Sequence, residues 1–261
     1  MYVLFLSKEK DDNMNKRHTQ ILDLLTKHKK MEVTKLSDLL GVSQVTIRKD
    51  LVLLENSGIV VREHGYATIN DSDDINNRLA YHYENKQQIA KLAVKSIQNG
   101  ETIMIESGSC CALVALEIAQ TKKDVTLITN SAFIADYIRK IGTVKIILLG
   151  GEYQNEAQVM VGPITRKCAE AFFVDKLFIG TDGFSKETGF TGNDYMRSET
   201  VRDMAKQAAN VIIVTDSIKF HQKGVVNLIE TEKVSSVYTD QDIPSNIEDY
   251  LSQKNINIIK A

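Results

Sequence analysis

The segment GVSQVTIRKDL, residues 41–51, contains two cationic side chains, Arg48 and Lys49, that could bind nucleic acid. A guanidinium can donate two hydrogen bonds to the edge of a guanine, whereas an ammonium group binds a phosphate and reads no sequence. Two basic residues can also form no more than the solvated face of a surface helix. The surrounding sequence favours nucleic-acid binding, because it places the pair on a helix that follows a tight turn.

Two short helices should position these residues. Apolar spacing predicts a first helix near Thr34–Leu40, ended by Gly41 in a left-handed conformation. Ser43 is a natural N-cap for the second helix, and Gly58 should end it. The first helix should bury Leu36, Leu39 and Leu40. The second should bury Ile47, Leu51 and Leu54.

These elements predict a helix-turn-helix whose second helix enters the major groove of double-stranded DNA. Its first residues should reach base edges, with Arg48 on a guanine, Gln44 on an adenine, and Val45 or Thr46 against a thymine methyl group. Three cations are expected to hold phosphates, namely Lys49, Lys35 and Arg17. The full set of expected DNA contacts is Arg17, Lys35, Ser43, Gln44, Val45, Thr46, Arg48, Lys49, Arg62 and His64.

A β-wing should follow the second helix. IVVRE alternates like a strand, HGY suits a turn and ATI reads as the return strand, so that Arg62 and His64 would meet the neighbouring groove or backbone. Upstream, a helix should run from Met14 to about His28. Residues 14–69 contain 9 Lys and Arg against 6 Asp and Glu, whereas residues 70–261 contain 21 against 25. A basic head on an acidic body suits a head that meets phosphates.

The segment GVSQVTIRKDLVLLENSGIVVREHGYA closely resembles the DeoR family of bacterial transcription regulators, whose members typically read VS..TIRRDL..LE..G...R.HGGA. Lys49 replaces the second arginine of that pattern and lacks its planar fork. Tyr66 replaces a glycine, and a turn with a positive φ there would strain a tyrosine. The matching residues are Val42, Ser43, Thr46, Ile47, Arg48, Asp50, Leu51, Leu54, Glu55, Gly58, Arg62, His64, Gly65 and Ala67.

Beyond residue 69, helix and strand patterns alternate. Apolar runs such as TIMI and VKIILL suggest strands buried on both faces, with helical segments between most of them. The expected fold class is therefore α/β. It combines a winged helix-turn-helix domain at residues 14–69, a polar linker at 70–77, and a larger Rossmann-like, largely parallel domain at 78–261 for effector sensing and oligomerisation.

Small and polar residues follow five of the expected strands, and in an open parallel sheet the loops after the strands meet at one edge. Small residues let backbone N–H groups converge on an anion, and a helix starting near Cys110 adds its positive end. Lys219 could balance the charge of a phosphate. The expected effector ligands are Glu106, Ser107, Gly108, Ser109, Cys110, Thr129, Asn130, Ser131, Gly150, Gly151, Asp182, Gly183 and Lys219.

The body also resembles the sensor domain of the DeoR family, which carries R…K..IA, DSGTT, TNS, GG, DG and D.SK at these places, so the resemblance spans roughly residues 14–250. It implies a fold related to ribose phosphate isomerase and a phosphorylated sugar or related metabolite as effector. Glu106, Ser109 and Cys110 depart from DSGTT and leave the effector's identity open. The matching residues are Arg78, Lys86, Ile89, Ala90, Ser107, Gly108, Thr129, Asn130, Ser131, Gly150, Gly151, Asp182, Gly183, Asp216 and Lys219.

The main alternative is an enzyme, a sugar phosphate isomerase with an attached DNA-binding head. Isomerisation needs a carboxylate base and a group that stabilises the enediolate. Asp182 and Glu199 are candidate bases, but Ser185 stands where a second acid would be needed, and no lysine lies between Lys186 and Glu199. We therefore expect no catalytic residues. A nucleoid-type DNA binder without an effector is a third hypothesis.

The three cysteines fit no metal spacing, and we expect neither a metal nor a cofactor. Cys110 and Cys111 allow a redox sensor, because a helix N-terminus can lower a thiol pKa, but cysteine is also commonly buried. YVLFL, residues 2–6, is too short for a signal peptide or a membrane span, so a cytoplasmic location without a membrane partner is expected. The chain could instead start at Met14, or its first segment could be disordered.

These features predict a transcription regulator, in the simplest case a repressor of sugar metabolism genes. One helix-turn-helix head makes few contacts with DNA, so we expect a homodimer or homotetramer that binds paired half-sites. Effector binding in the body would then change how the heads are spaced.

Overall fold

The computed structural model describes residues 12–56, 59–69 and 74–261, and the chain divides into two compact units, residues 1–83 and 84–261. Residues 1–11 and 57–58 lie outside the described residues. The predictions about the first segment and about Gly58 as the end of the second helix fall on these residues. Residues 70–73 of the expected linker also lie outside the described residues. Residues 75–77 of that segment are helical instead, because Asp74 accepts a hydrogen bond from the Asn76 N–H and so caps a helix.

The first unit is a winged helix-turn-helix. In chain order its elements are α1 (Asp12–His28), β1 (Lys30–Glu32), α2 (Val33–Leu40), α3 (Gln44–Asn56), β2 (Val60–Glu63), β3 (Tyr66–Ile69) and α4 (Ile75–Ala80). The three strands form an antiparallel sheet in the order β1-β3-β2, so the wing has one strand more than the sequence suggested. Its core is built from Ile21, Leu25, Leu36, Ile47 and Leu51, all fully buried.

The turn between α2 and α3 has the geometry expected from the sequence. Gly41 has a φ of 65°, and its N–H donates to the carbonyl of Ser37. The Ser43 hydroxyl accepts the Thr46 N–H at 3.1 Å, which confirms Ser43 as the cap of α3.

The expectation that Leu39 is buried was wrong, since its side chain is 55% exposed. The buried side of α2 is formed by Val33, Leu36 and Ser37, with Leu40 packed at its end. Leu39 follows Leu36 by three residues and therefore falls at the margin of that stripe, on the solvent side.

The wing turn avoids the strain that Tyr66 could have caused. Positive φ values occur at His64 (44°) and Gly65 (89°), as a two-residue hairpin turn requires, whereas Tyr66 is already the first residue of β3. The Tyr66 hydroxyl donates to Glu32 Oε1 at 2.6 Å and so links β3 to β1.

The second unit is built on a seven-stranded sheet. In chain order its elements are α5 (Tyr83–Val94), β4 (Thr102–Ile105), α6 (Ser109–Thr121), β5 (Thr126–Thr129), α7 (Ala132–Ile138), β6 (Lys145–Leu148), β7 (Glu152–Gln154), β8 (Val159–Val161), α8 (Pro163–Ala169), β9 (Val174–Ile179), β10 (Gly183–Ser185), β11 (Gly189–Gly192), α9 (Tyr195–Ala205), β12 (Ala208–Val214), β13 (Val226–Ile229), β14 (Val234–Thr239), α10 (Ser245–Gln253) and β15 (Asn257–Lys260). A 3-10 helix spans Ser217–His221 and another spans Thr231–Lys233.

The large sheet has the strand order β15-β14-β12-β9-β4-β5-β6, and all neighbouring strands are parallel. This confirms the expected parallel α/β body. Successive residues Ile103, Met104 and Ile105 of β4 are all fully buried, which requires cover on both faces of the sheet. The chain runs from β4 outward to β6 and then returns to place β9 on the other side of β4, so the strand order reverses between β4 and β9.

Two smaller antiparallel sheets were not anticipated. β7 and β8 form a hairpin, and β10, β11 and β13 form a three-stranded sheet. Their strands are only three or four residues long, too short for an alternating pattern to identify.

In the part of the chain that the structure describes, no helix combines the length and apolarity needed to cross a bilayer. Within the same residues, no group of three or more His, Cys, Asp or Glu side chains is placed to hold a metal ion.

Candidate functional sites: an exposed helix face and a sheet-edge pocket

The outer face of α3 is open to solvent. Gln44, Arg48 and Lys49 are exposed, and the Val45 side chain is 59% exposed. The Arg48 Nη2 donates to Gln44 Oε1 at 3.3 Å, so these two polar groups lie side by side on the first turns of the helix. The face therefore presents one guanidinium, one amide, one ammonium group and one apolar side chain in the region that a helix-turn-helix inserts into the major groove.

Three further residues of the expected set lie around this face. Lys35 on α2 and His64 in the wing turn are exposed. Ser43 is exposed as well, but its hydroxyl already holds the Thr46 N–H and lies 2.9 Å from the Thr46 hydroxyl. Ser43 and Thr46 thus have a structural role in the cap of α3, which the sequence predicted from the position of Ser43 alone.

Arg17 is engaged inside the head. Its Nε donates to Asp50 Oδ2 at 2.6 Å and its Nη2 to Asp50 Oδ1 at 2.9 Å, and His18 Nε2 lies 3.1 Å from the same Oδ1. The hydrogen bonds and charge of Asp50 raise the pKa of Arg17 above its usual value. Because Asp50 is buried on α3, this two-pronged pair fixes α1 against the recognition helix with the same guanidinium that was expected to contact a phosphate.

Arg62 is held in a similar way. Its Nε donates to Glu55 Oε2 at 2.7 Å, its Nη2 forms an ion pair with the same oxygen, and its backbone N–H donates to Glu55 Oε1 at 3.2 Å. The hydrogen bond from Arg62 lowers the pKa of Glu55. The pair ties β2 to the last turn of α3, so Arg62 positions the wing with the same group that was expected to contact DNA.

The second site lies at the carboxyl edge of the large sheet, where the strand order reverses between β4 and β9. Glu106 follows β4, and its Oε2 accepts the N–H groups of Gly108 at 3.0 Å and Gly180 at 3.1 Å. Its Oε1 accepts the Ser107 hydroxyl at 2.8 Å. Both carboxylate oxygens therefore bind the protein itself, and Glu106 fastens the loop after β4 to the loop after β9.

Charged side chains of α5 and of the segment after β12 act on Cys110, the second residue of α6. Burial raises the pKa of the Cys110 thiol to about 12, while the charges of Lys86 and Lys219 act to lower it and that of Asp216 to raise it. Lys86 and Asp216 are themselves 4% and 2% exposed. Among the described residues, Asp216 Oδ1 has no hydrogen-bond partner.

This arrangement suits an anion that also offers a hydrogen-bond donor. The first-turn N–H groups of a helix have no acceptor within the helix, and Cys110, on which the charges of both lysines act, lies in the first turn of α6. A phosphate would meet the N–H groups and the ammonium groups, and a sugar hydroxyl could donate to Asp216 Oδ1.

The loop after β5 mainly supports its surroundings. The Thr129 hydroxyl accepts the Ser131 N–H at 3.1 Å, and the Ser131 hydroxyl caps α7 by accepting the Ile134 N–H at 3.1 Å. Asn130 Nδ2 donates to the Met160 carbonyl at 3.0 Å, which leaves its Oδ1, buried and without a partner in the described chain, as the group that could bind a ligand.

The remaining expected ligands lie in the next loops. Gly151 touches α8 so closely that a Cβ there would lie 1.9 Å from Thr165 Oγ1, whereas Gly150 is exposed. One oxygen of the half-buried Asp182 accepts the Asn193 N–H at 2.9 Å. Gly183 opens β10 and donates its N–H to Thr181 Oγ1 at 3.3 Å.

Lys86 and Asp216 are the residues that the sequence-based list of effector ligands omitted. Both had matched the family pattern, which was the only signal for them. A lysine inside a helix and an aspartate after a strand carry no local cue of burial, and only the fold brings them to Cys110.

The adjacent cysteines lack the surroundings of a reactive thiol. Burial raises the pKa of Cys111 well above its ordinary value, as it does that of Cys110. Cys111 Sγ lies 3.6 Å from the Phe178 carbonyl and 3.9 Å from Glu106 Oε2. Groups that disfavour the thiolate argue against a redox sensor at this place.

Comparison with known families covers both units. A model of the DeoR C terminal sensor domain matches residues 81–241, and a model of the DeoR-like helix-turn-helix domain matches residues 17–73.

Curated relatives align over almost the whole chain. The putative aga operon transcriptional repressor of Escherichia coli O157:H7 is 30% identical over 94% of this chain and 93% of its own length. The glycerol-3-phosphate regulon repressor of Escherichia coli K12 is 27% identical over 93% of this chain and 97% of its own. The L-fucose operon activator of Haemophilus influenzae is 24% identical over 93% and 98%.

Solved structures give more distant matches. Ribose 5-phosphate isomerase from Plasmodium falciparum matches at a TM-score of 0.36 and 20% identity, over 52% of each chain. The sorbitol operon regulator of Klebsiella pneumoniae matches at a TM-score of 0.38 and 12% identity, over 94% of this chain and 100% of its own. Scores this low carry no argument about function.

Proposed function

The chain belongs to the DeoR family of DNA-binding transcriptional regulators, and from this premise we propose that it represses sugar metabolism genes in response to a phosphorylated sugar. The head binds a double-stranded operator, and the body binds the effector and assembles the chain into a homodimer or homotetramer in the cytoplasm. Relatives named as repressors and one named as an activator leave the sign of regulation to experiment.

The observation that carries the DNA-binding proposal is the two-sided character of α3. Ile47, Leu51 and Leu54 are at most 2% exposed, whereas Arg48 and Lys49 on the other side are exposed. Arg48 is proposed to read a base and Lys49 to hold a phosphate, with Lys35 and His64 as further backbone contacts. Arg17 and Arg62 are proposed to orient the helix and the wing through Asp50 and Glu55.

The effector proposal is supported by the charged groups that act on Cys110, in the first turn of α6. Lys86 and Lys219 supply positive charge beside the N-terminus of α6, and buried Asp216 supplies an acceptor. The phosphate of the effector is proposed to lie at the helix end, and a hydroxyl to bind Asp216. Glu106 is reassigned from ligand to support, because its oxygens are used by the loops.

We also propose that the body is not an isomerase. Asp182 would have to act as a base, but one of its oxygens holds the Asn193 N–H. Ser185, at the position where a second acid would be needed, pairs its hydroxyl with that of Thr188 at 2.8 Å. Ser185 therefore supplies no second acid at this position, and the acid that enediolate chemistry there would need is missing from it.

The DNA-binding proposal is tested by selecting duplexes from a random-sequence library with the full-length chain and measuring affinity for the enriched motif by fluorescence anisotropy. Arg48→Ala should weaken binding by about 1–3 kcal/mol and relax the preference at one base position. Arg139→Ala, which removes an exposed arginine from the second unit, is the matched control. Unchanged affinity and preference in Arg48→Ala would overturn the assignment of the recognition helix.

The effector proposal is tested by thermal shift with ribose 5-phosphate, fructose 1-phosphate, glucosamine 6-phosphate and glycerol 3-phosphate, each beside its unphosphorylated parent. At least one phosphate should raise the melting temperature, and Asp216→Asn or Lys219→Ala should abolish the shift. Lys140→Ala, an exposed lysine on α7's C-terminal side, should retain it. A shift that survives both pocket variants would place the ligand elsewhere.

A further inference from the structure

The hairpin of β7 and β8 forms a defined corner of the second unit with the first turns of α8 and α9. Gln154 Nε2 donates to Asp194 Oδ1 at 3.3 Å, and Asp194 caps α9 through the Arg197 N–H. On the inner side of the hairpin, Val159 and Val161 are buried and pack with Met196 of α9. We call residues 152–167 and 194–196 the hairpin corner.

Large apolar side chains of the hairpin corner are exposed. Tyr153 is 45%, Ile164 61% and Tyr195 60% exposed, and Met160, the cross-strand partner of Tyr153, is partly exposed on the same face of the hairpin. Single exposed apolar residues are ordinary on a protein surface, but several on one small feature mark an interaction surface. Tyrosine and methionine are enriched at protein interfaces.

The charges of the hairpin corner are complementary to each other. Glu152 and Glu156 are exposed on the hairpin, and Arg166 and Lys167 are exposed on α8. Arg166 has an intrahelical partner in Glu170, but at 3.7 Å on the surface this pair contributes little. In a two-fold interface the same patch meets itself, so the acidic hairpin of one copy would face the basic helix of the other.

We propose that the hairpin corner is the surface on which a second copy of this chain docks. The contact is two-fold symmetric, with Ile164 and Tyr195 at its centre, and with Tyr153 on the outer hairpin face and the opposite charges of the hairpin and α8 around them. Its role, bringing two DNA-binding heads together, rests on the proposed function, whereas the docking itself does not.

The corner is also held by the loops expected to bind the effector. The Met160 N–H donates to the Asn130 carbonyl at 2.7 Å, and Ser131 pairs with Val159 in a β-bridge. Gly151 lies against Thr165 of α8. A ligand that moves these loops would therefore act on the docking surface through direct contacts.

The test is the mass of the full-length chain measured by analytical ultracentrifugation across a concentration series. Ile164→Asp and Tyr195→Asp should each raise the dimer dissociation constant at least tenfold. Phe173→Asp should leave it unchanged, because Phe173 is 72% exposed but precedes β9, at the opposite edge of the sheet from the corner. Wild-type association in both corner variants, with their circular dichroism spectra intact, would overturn the proposal.

Reversing charges around the contact is a second test, and these variants place no new charge in its apolar centre. Glu152→Lys with Glu156→Lys, and separately Arg166→Glu with Lys167→Glu, should each weaken association, and the four changes combined should restore it. No weakening in either set would contradict the proposed contact. Thermal shift with the sugar phosphates, measured on the same variants, separates the docking proposal from the effector proposal. A variant that no longer dimerises but keeps the ligand-induced shift has lost the docking contact alone.

Discussion

At the scale of single residues, two acidic side chains of α3 determine what two arginines of the head contact. Asp50 holds Arg17, and Glu55 holds Arg62, so these two guanidinium groups set the positions of α1 and the wing relative to α3. Within the described part of the head, the hydrogen bond of Arg48 is to the neutral side chain of Gln44, and a base edge could replace it. Arg17 and Arg62 are thus ion-paired within the head, whereas Arg48 is the arginine that we propose reads a base.

Removing Asp50 should destabilise the head strongly. In Asp50→Ala the guanidinium of Arg17 and the ring of buried His18 lose their shared acceptor, and breaking such a pair costs about 3–5 kcal/mol when it is fully buried, so about 3 kcal/mol is expected for the half-shielded Arg17. Hydrogen exchange in α1 and α3, followed by mass spectrometry, measures the loss. Asp38→Ala, an exposed acid on α2, should stay within about 0.5 kcal/mol of the parent.

The two adjacent thiols should resist alkylation. With a pKa of about 12, Cys110 holds very little thiolate at pH 8, and burial also raises the pKa of Cys111 well above its ordinary value. Iodoacetamide at pH 8 should therefore modify the half-buried Cys168 first, as read by peptide mass spectrometry. Preferential labelling of Cys110 in the folded protein would restore the redox-sensor hypothesis.

At the scale of elements, the reversal of strand order between β4 and β9 sets where the candidate effector site lies. The loops after these two strands touch, since a Cβ added to Gly108 would lie 3.4 Å from the Gly180 Cα, and Glu106 accepts the N–H groups of both glycines. Helix α6 begins at Ser109, directly after this contact. Glu106, one of the expected effector ligands, thus joins the loops after β4 and β9, and we propose that this support is its role.

Substitutions at Glu106 distinguish support from ligand binding. Glu106→Ala leaves the N–H groups of Gly108 and Gly180 without their acceptor and should cost about 1–3 kcal/mol of stability in the second unit. Glu106→Gln keeps one carbonyl oxygen for them and should cost less. Urea denaturation of both variants gives the comparison, and equal losses would mean that the two N–H groups do not depend on this side chain.

At the scale of the whole molecule, the proposed effector site and the exposed face of α3 belong to separate units, and we propose that assembly couples them. The loops proposed to bind the effector contact the hairpin corner through Asn130 and Gly151, and two docked bodies would fix the distance between two heads. In this proposal a ligand acts on the operator by changing the geometry of the pair, and it needs to touch no residue of the head.

This coupling should be reciprocal. A sugar phosphate that binds the body should change the operator dissociation constant by about 5–150-fold, and the operator should change the ligand dissociation constant by the same factor. Anisotropy with a paired operator, repeated with a single half-site, measures both. The ligand effect should be lost on the half-site, and an equal effect there would show that the coupling passes within one chain.

The sequence by itself determined the elements whose signals are local. Gly41 and Ser43 define the turn and the cap, Ile47 and Leu51 define the buried side of α3, and the apolar runs define the parallel sheet, because each depends on residues a few positions apart. The family pattern extended this to function, since it spans both units.

Only the tertiary structure decided which charged groups are available. Arg17 lies 33 residues from Asp50, and Glu106 lies 74 residues from Gly180, so no local pattern could show that these groups are already paired. The same holds for Lys86 and Asp216, whose charges act on Cys110 although both residues are distant from it in the sequence. Helix propensity and apolar periodicity act over one or two turns of chain, whereas the pairing of charges depends on distances that folding alone creates.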